Sequence, residues 1–104
     1  MILVTGGRGA GKRSFVTDVL GFSPEQFAED GPVLYGLESI DPLPSLETLL
    51  DREVVVCREV GCGVVPMDRG DRDWREAVGR LCCALAREAE AVYRLQCGLA
   101  MRLK

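Results

Sequence analysis

The architecture of this chain follows from Val4-Thr5-Gly6-Gly7-Arg8-Gly9-Ala10-Gly11-Lys12-Arg13-Ser14. This stretch begins at the end of an apolar run, continues with glycines and is followed by an amphipathic segment, an order that predicts strand, loop and helix. The spacing of Gly6, Gly11 and Lys12 fits a phosphate-binding loop, in which backbone N–H groups and the positive end of a helix surround a polyphosphate. The residues predicted to bind nucleotide are therefore Gly6, Gly7, Arg8, Gly9, Ala10, Gly11, Lys12, Arg13 and Ser14.

One position departs from this motif. The motif places Ser or Thr after the lysine to hold Mg²⁺, whereas this chain has Arg13 there and Ser14 one residue late. One residue is about 100° of helix rotation, so the Ser14 hydroxyl should point elsewhere. Arg13 either brings a guanidinium to the phosphates, which it suits, or faces solvent on the first helical turn. Ser14 and Glu38 are the two candidate metal ligands, and Arg13 at the usual ligand position argues against an ordinary Mg²⁺ site.

Composition limits the function classes. The 104 residues are 47% hydrophobic and carry a net charge of −3, which predicts one globular domain over 1–104 without broad affinity for nucleic acid or anionic membrane. No apolar run approaches the roughly 20 residues of a membrane helix, and the start does not resemble a signal peptide, so we expect a cytoplasmic protein. The absence of histidine excludes Ser-His and Cys-His catalysis, His-ligated metals and phosphohistidine intermediates.

The cysteines form an odd set without a C-x-x-C pair. This pattern argues against a disulfide framework and against a four-thiolate zinc site. Because reduced cysteine behaves as a small hydrophobe, we expect buried or half-buried free thiols. The five residues are Cys57, Cys62, Cys82, Cys83 and Cys97.

Hydrophobic periodicity predicts the remaining elements. Strands are expected at 1–5, 33–37, 53–57 and 92–97 with an antiparallel edge strand at 100–104, and helices at 11–20, 23–30, 44–51 and 71–91. Together they predict a small α/β fold like that of phosphate-loop NTPases, with three layers, about four mostly parallel strands and the added edge strand. Gly79 lies inside the last helix, which suggests close packing against a neighbour, and the stripe that contains Trp74 is expected in the core.

Two acids follow predicted strands. Glu38 and Glu59 would lie at the carboxyl edge of the sheet, where α/β proteins bind ligands. Each either positions a magnesium-bound water or accepts a substrate proton, or is simply solvated. The catalytic candidates are accordingly Lys12, Glu38 and Glu59. Three arginines either contact the substrate phosphate or lie on the surface, namely Arg58, Arg69 and Arg72.

Several sequence blocks stand out at the two ends of the chain: the opening with its phosphate loop, Glu59-Val60-Gly61-Cys62-Gly63-Val64-Val65-Pro66, Trp74-Arg75-Glu76, Gly79-Arg80, Ala89-Glu90-Ala91-Val92-Tyr93, and Gly98-Leu99 followed by Arg102-Leu103-Lys104. In this order they resemble the adenosylcobinamide kinase/adenosylcobinamide-phosphate guanylyltransferase family. The Glu-Val-Gly-x-Gly-x-Val-Pro block is more diagnostic than the phosphate loop, which many folds share. The family's acid at the end of the central strand matches Glu38.

This resemblance implies ATP or GTP with Mg²⁺ as cofactor, phosphorylation of the aminopropanol hydroxyl of adenosylcobinamide, and a homo-oligomer. The family's guanylylated histidine has no counterpart here, so guanylyl transfer is not expected. Cys82-Cys83 stands where the family has Asn-Gln, which would remove a polar contact. The alternative is a nucleotide- or anion-binding relative that has lost chemistry and serves as a regulatory or complex-forming subunit.

Overall fold

The computed structural model describes residues 1–59 and 69–104. Its sheet contains β1 (Ile2–Gly6), β2 (Val33–Tyr35), β3 (Val54–Arg58), β4 (Ala91–Gln96) and β5 (Leu99–Arg102) in the order β2-β3-β1-β4-β5. The first four strands are parallel, and β5 pairs antiparallel with β4. The predicted fold class is therefore confirmed, with β1 at the centre of the sheet.

The register of the parallel strands places the carboxyl ends of β1, β3 and β4 next to one another. Gly6, the last residue of β1, is opposite Arg58 on β3 and Leu95 on β4. Because the carboxyl ends of parallel strands meet at one edge, the segments that follow these strands lie side by side.

The helical segments cover both faces of the sheet. They are α1 (Lys12–Ser14), which continues as a π-helical turn Phe15–Val19, α2 (Leu46–Leu50), α3 (Arg69–Glu88), and 3₁₀ turns at Pro24–Gln26 and Leu37–Ser39. Leu3 and Val55 pack in one buried cluster with α2 and α3, whereas Val4 and Val56 pack in a second cluster with the π-helical turn. Successive residues along a strand thus point to opposite faces of the sheet, and both faces are buried. None of the helices in the described ranges is long and apolar enough to span a membrane.

Three predicted elements are shorter than the sequence suggested, and one of them, the helix predicted over 44–51, spans Leu46–Leu50. The helix predicted over 23–30 ends at Gln26, although its capping box forms, with the Ser23 N–H donating to Gln26 Oε1 at 2.8 Å. The next residues join the sheet instead, because Phe27 bridges to Val33. The strand predicted over 33–37 ends at Tyr35, since Gly36 has a φ of +84° and begins a 3₁₀ turn.

The packing predicted for Gly79 is wrong. A Cβ built there meets no atom within 4 Å, so this glycine makes no close approach among the described residues. Trp74, by contrast, is half-buried and packs against the cluster below α3.

The prediction of buried or half-buried free thiols is confirmed for two cysteines. Cys57 is buried in β3 and Cys82 is half-buried on α3, but Cys83 and Cys97 are exposed and contradict the prediction. Cys83 follows Cys82 by one helical residue and so faces away from the sheet, and Cys97 lies in the turn between β4 and β5. Cys62 and most of the diagnostic block at 59–66 lie outside the described residues.

Candidate functional site

The phosphate loop has the backbone shape that its glycines permit. Gly9 and Gly11 have φ values of +72° and +95°, in the left-handed region where a side chain is strained. Gly6 is needed for a different reason, because a Cβ there would lie 2.7 Å from the carbonyl oxygen of Leu95. The loop closes with the Ala10 N–H donating to the Gly7 carbonyl at 3.2 Å. This conformation leads the chain directly into α1.

Lys12 lies inside this loop. Its side chain is 7% exposed, and Nζ donates to the Gly7 carbonyl at 2.7 Å. Among the described residues no carboxylate forms an ion pair with it. Burial lowers the pKa of Lys12, and the nearby charge of Arg58 lowers it further, while Glu38 acts in the opposite direction. A buried ammonium group in a glycine loop is well placed to be compensated by a bound anion.

The turn between β4 and β5 supports the loop from behind. The Gly98 N–H donates to the Ala10 carbonyl at 2.9 Å, and a Cβ at Gly11 would lie 3.3 Å from the Gly98 Cα. The two glycines therefore allow the hairpin turn and the loop to touch backbone to backbone. The strands predicted at 92–97 and 100–104 leave Gly98 between them, but nothing local indicates which distant segment such a connection meets.

Glu38 occupies the wall opposite the loop. It lies in the 3₁₀ turn after β2, and its Oε1 accepts from the Arg58 N–H at 2.7 Å while Oε2 accepts from the Ser39 hydroxyl at 3.2 Å. Its backbone carbonyl accepts from Trp74 Nε1 at 3.2 Å. Three contacts, from β3, from the next residue and from α3, thus fix both the carboxylate and its backbone.

A cleft of about 190 Å³ brings the two sides together, and we call it the phosphate cleft. Lys12 from the loop and Glu38 from the turn after β2 both line it, and Glu38 is the one carboxylate among the described residues of its lining. Arg58 adds positive charge at the end of β3. The described lining residues are Arg8, Gly9, Lys12, Tyr35, Gly36, Glu38, Val56 and Arg58.

Glu59, the third catalytic candidate, directly follows β3, and its side chain reaches past the end of β1 to β4. Its carboxylate binds Arg94 of β4, with Nε to Oε1 at 2.6 Å and Nη2 to Oε2 at 3.3 Å. Its backbone N–H donates to the Gly6 carbonyl at 2.9 Å. Glu59 is not among the described residues that line the phosphate cleft, although its charge, like that of Glu38, acts to raise the pKa of Lys12. Arg72 is exposed on α3, and the side chain of Arg69 lies outside the described part.

Arg13 is held by two aromatic rings. Its guanidinium carbon lies 5.0 Å from the ring centre of Phe27 and 5.4 Å from that of Tyr35. The rings themselves are 5.8 Å apart. Such cation–π contacts stabilise an exposed arginine by about 0.5–1 kcal/mol. Ser14 is exposed on the next position of α1 and does not line the cleft.

A pair of thiols lies beneath Glu38. A hydrogen bond with Cys82 and burial raise the pKa of Cys57, and the same hydrogen bond lowers the pKa of Cys82. Both thiols belong to the core between β3 and α3. The Cys57 thiol also donates to the Arg58 carbonyl at 3.4 Å.

The residues present fit a nucleotide better than a preformed metal site. The glycine loop and the buried Lys12 supply N–H groups and positive charge to phosphate oxygens. Among the described residues no cluster of three acids or thiols could hold a metal ion. Mg²⁺ commonly reaches such sites with the phosphates and needs only one or two carboxylates, and Glu38 is the carboxylate available in the cleft.

The chain is an α/β protein with a five-stranded, mostly parallel sheet, and the glycine loop with its buried lysine after the central β1 is compatible with a phosphate-loop fold. The family model described as "Cobinamide kinase / cobinamide phosphate guanyltransferase" matches residues 39–103, more than half of the chain. The chain therefore belongs to this family, which connects it with cobalamin biosynthesis. The match begins after the phosphate loop and directly after Glu38. No curated protein matches the chain.

Proposed function

We propose that this protein binds a nucleoside triphosphate, ATP or GTP, in the phosphate cleft and transfers its terminal phosphoryl group to the hydroxyl of cobinamide. The observation that carries the proposal is the pairing of Lys12 and Glu38 across one cleft at the carboxyl edge of the sheet. Membership of the cobinamide kinase family suggests the acceptor. The guanylyl transfer in that name is not part of the proposal, because the chain has no histidine to carry the nucleotide.

In the proposed transfer, the loop with Lys12 and the Glu38 carboxylate have different roles. The loop N–H groups and Lys12 hold the phosphates and balance the negative charge that develops on the leaving diphosphate. The acceptor oxygen forms a bond to the terminal phosphorus while the bond from that phosphorus to the bridging oxygen breaks. The hydroxyl proton passes to Glu38 and then to solvent. Mg²⁺ would arrive with the nucleotide and supply charge neutralisation between the phosphates.

Arg13 and Ser14 stay part of the proposed nucleotide site. Both stand on the first turn of α1, next to Lys12, and the N–H groups of this turn do not depend on the side chain. The missing hydroxyl after Lys12 should weaken metal binding more than phosphate binding.

Self-association belongs to the same proposal. Leu99 and Leu103, on and just after the edge strand β5, are 72% and 61% exposed, and no strand of the described residues pairs with the outer edge of β5. A second copy could cover both. Mass measurement in solution should give a mass above 11.4 kDa for the native protein, and a monomeric mass at micromolar concentration would contradict this part.

The test of the function is a transfer assay with labelled terminal phosphate, Mg²⁺ and cobinamide, run with ATP and with GTP. The native protein should form phosphorylated cobinamide, and Glu38→Gln should lower the turnover about 100-fold or more while nucleotide binding changes little. Tight nucleotide binding without any transfer would contradict the enzyme proposal and favour a relative that binds nucleotide without chemistry.

A further inference from the structure

Two cysteines meet in the core next to Glu38, and the proposed phosphoryl transfer uses neither of them. Cys57 is the fourth residue of β3 and is 1% exposed, whereas Cys82 is a half-buried residue of α3. Cys57 belongs to the hydrophobic cluster between β3 and α3, and Cys82 packs against that cluster. The two side chains form a hydrogen bond with each other. Two thiols from distant parts of the chain are therefore already in contact.

We propose that Cys57 and Cys82 are an oxidisable thiol pair, which closes to a disulfide on reaction with a small-molecule disulfide and opens again with excess thiol. A protein disulfide forms without large backbone movement only where two side chains already converge, and this pair between a strand and a helix meets that requirement. The pair is a site separate from the phosphate cleft, and its oxidation does not depend on the proposed phosphoryl transfer.

The two thiols have different tasks in this reaction. Cys82 is only half-buried, so a reagent reaches it before it reaches Cys57. Their hydrogen bond lowers the pKa of Cys82, while the same bond and burial raise the pKa of Cys57. Because the thiolate is the nucleophile in thiol–disulfide exchange, Cys82 is the attacking thiol and Cys57 the resolving thiol.

The exchange has two steps and consumes one external disulfide. Cys82 releases its proton to solvent and bonds to one sulfur of the reagent, whose sulfur–sulfur bond breaks; the departing thiolate takes up a proton. Cys57 then bonds to the Cys82 sulfur, and its proton goes to the second reagent sulfur as that sulfur leaves. The two protein thiols are oxidised, and the external disulfide is reduced to two thiols.

The pair joins the two elements that hold Glu38. The Arg58 N–H that donates to the Glu38 carboxylate belongs to the peptide group directly after Cys57, and the Cys57 thiol donates to the Arg58 carbonyl at 3.4 Å. From α3, Trp74 donates to the Glu38 carbonyl, and Trp74 precedes Cys82 by about two helical turns. A covalent bond holds two sulfurs closer together than a hydrogen bond does. Oxidation therefore draws β3 and α3 together and shifts both supports of Glu38.

The experiment uses the full chain with Cys62→Ser, Cys83→Ser and Cys97→Ser, which leaves Cys57 and Cys82 as its two thiols. This protein is equilibrated with glutathione disulfide and glutathione at increasing ratios, and free thiols are then trapped by alkylation and counted by mass. We expect both thiols to disappear together in the monomeric chain, with the loss of two hydrogen atoms and no bound glutathione. Excess dithiothreitol should restore both.

The matched variant adds Cys82→Ser and so removes the attacking thiol. Its Cys57 should stay unmodified at the same ratios, because that thiol is 1% exposed. Stable glutathione on Cys82 without an internal bond would overturn the proposal. So would a disulfide between two chains, or two thiols that stay reduced in the folded protein when glutathione disulfide is in excess.

Trp74 gives a readout that needs no activity, since it is the one tryptophan of the chain and hydrogen-bonds the Glu38 carbonyl. Its fluorescence should change on oxidation, recover on reduction, and stay constant in the variant with Cys82→Ser. Unchanged fluorescence in a protein that has formed the disulfide would contradict the link to Glu38.

The effect on phosphoryl transfer rests on the proposed function. Transfer should fall about tenfold or more on oxidation through the shift of Glu38, while the affinity for a non-hydrolysable nucleotide stays within about threefold. Unchanged transfer in the oxidised protein would also contradict the link to Glu38. A reduced protein that shows no transfer would instead contradict the proposed function alone, because the thiol count and the Trp74 fluorescence test the thiol pair without it.

Discussion

The carboxylate of Glu38 accepts a hydrogen bond from the backbone N–H of Arg58 at 2.7 Å, which ties the turn after β2 to the end of β3. This contact makes Glu38 both a structural residue and a candidate base. The two roles can be separated because a glutamine keeps the accepting oxygen but not the basicity.

We predict that Glu38→Ala and Glu38→Gln differ in stability. The alanine leaves the Arg58 N–H without its carboxylate acceptor, at a cost of about 1–3 kcal/mol, whereas the glutamine retains an oxygen there. Denaturant unfolding of both variants measures the difference. Equal stability of the two variants would show that the contact with Arg58 does not contribute to the fold.

The glycines of the loop should respond unequally to alanine. Gly11→Ala meets both a φ of +95° and the Gly98 Cα at 3.3 Å, so we expect a loss of about 1–2 kcal/mol or more. Gly7→Ala is the matched control, since a Cβ there meets nothing within 4 Å, and should change stability by about 0.5 kcal/mol or less. Thermal unfolding compares them, and an equal loss in both would contradict the described loop.

The lowered pKa of Lys12 predicts opposite pH effects on binding and stability. Nucleotide affinity should fall as pH rises through that pKa, before the value of about 10.4 for free lysine, because the ammonium form holds the phosphates. The ligand-free protein should instead gain stability in the same window, since its unfolded chain binds more protons than its native state. Calorimetry and denaturant unfolding at several alkaline pH values test both signs. Lys12→Met should lose both dependences.

The Arg13 and Ser14 positions offer a gain-of-function test. Exchanging them in the double variant Arg13→Ser, Ser14→Arg restores a hydroxyl directly after Lys12, where the loop motif places a metal ligand. We expect Mg²⁺-dependent nucleotide affinity to rise about threefold or more, although the contacts of Arg13 with Phe27 and Tyr35 are lost. Arg13→Ala controls for that loss. An unchanged Mg²⁺ dependence would show that metal placement does not limit binding.

The sequence was sufficient for the features that depend on local pattern. The apolar run of β1 and the three valines of β3 each predict a buried strand, and the glycine spacing predicts a tight loop. The described fold contains all three features. Glu38 was also expected beside the loop, because the end of a strand in a parallel sheet identifies the edge on which a residue lies.

The remaining features depend on contacts between distant residues. Glu59 follows a strand as Glu38 does, yet it turns toward Arg94, whose position on β4 becomes clear only with the strand order. Gly98 contacts Ala10 across most of the chain, and no local signal identifies that pair. Likewise, Arg13 meets Phe27 only because the predicted helix ends early and Phe27 bridges to β2.

The central claim is that Lys12 in the glycine loop binds nucleotide phosphates, and isothermal titration with ATP and GTP in Mg²⁺ tests it most directly. Lys104→Ala is the matched control, because this lysine hydrogen-bonds the end of α3 and lies away from the phosphate cleft. We predict that Lys12→Ala weakens nucleotide binding about 100-fold or more and that Lys104→Ala leaves it within about twofold. Native affinity in a folded Lys12→Ala protein would contradict the account.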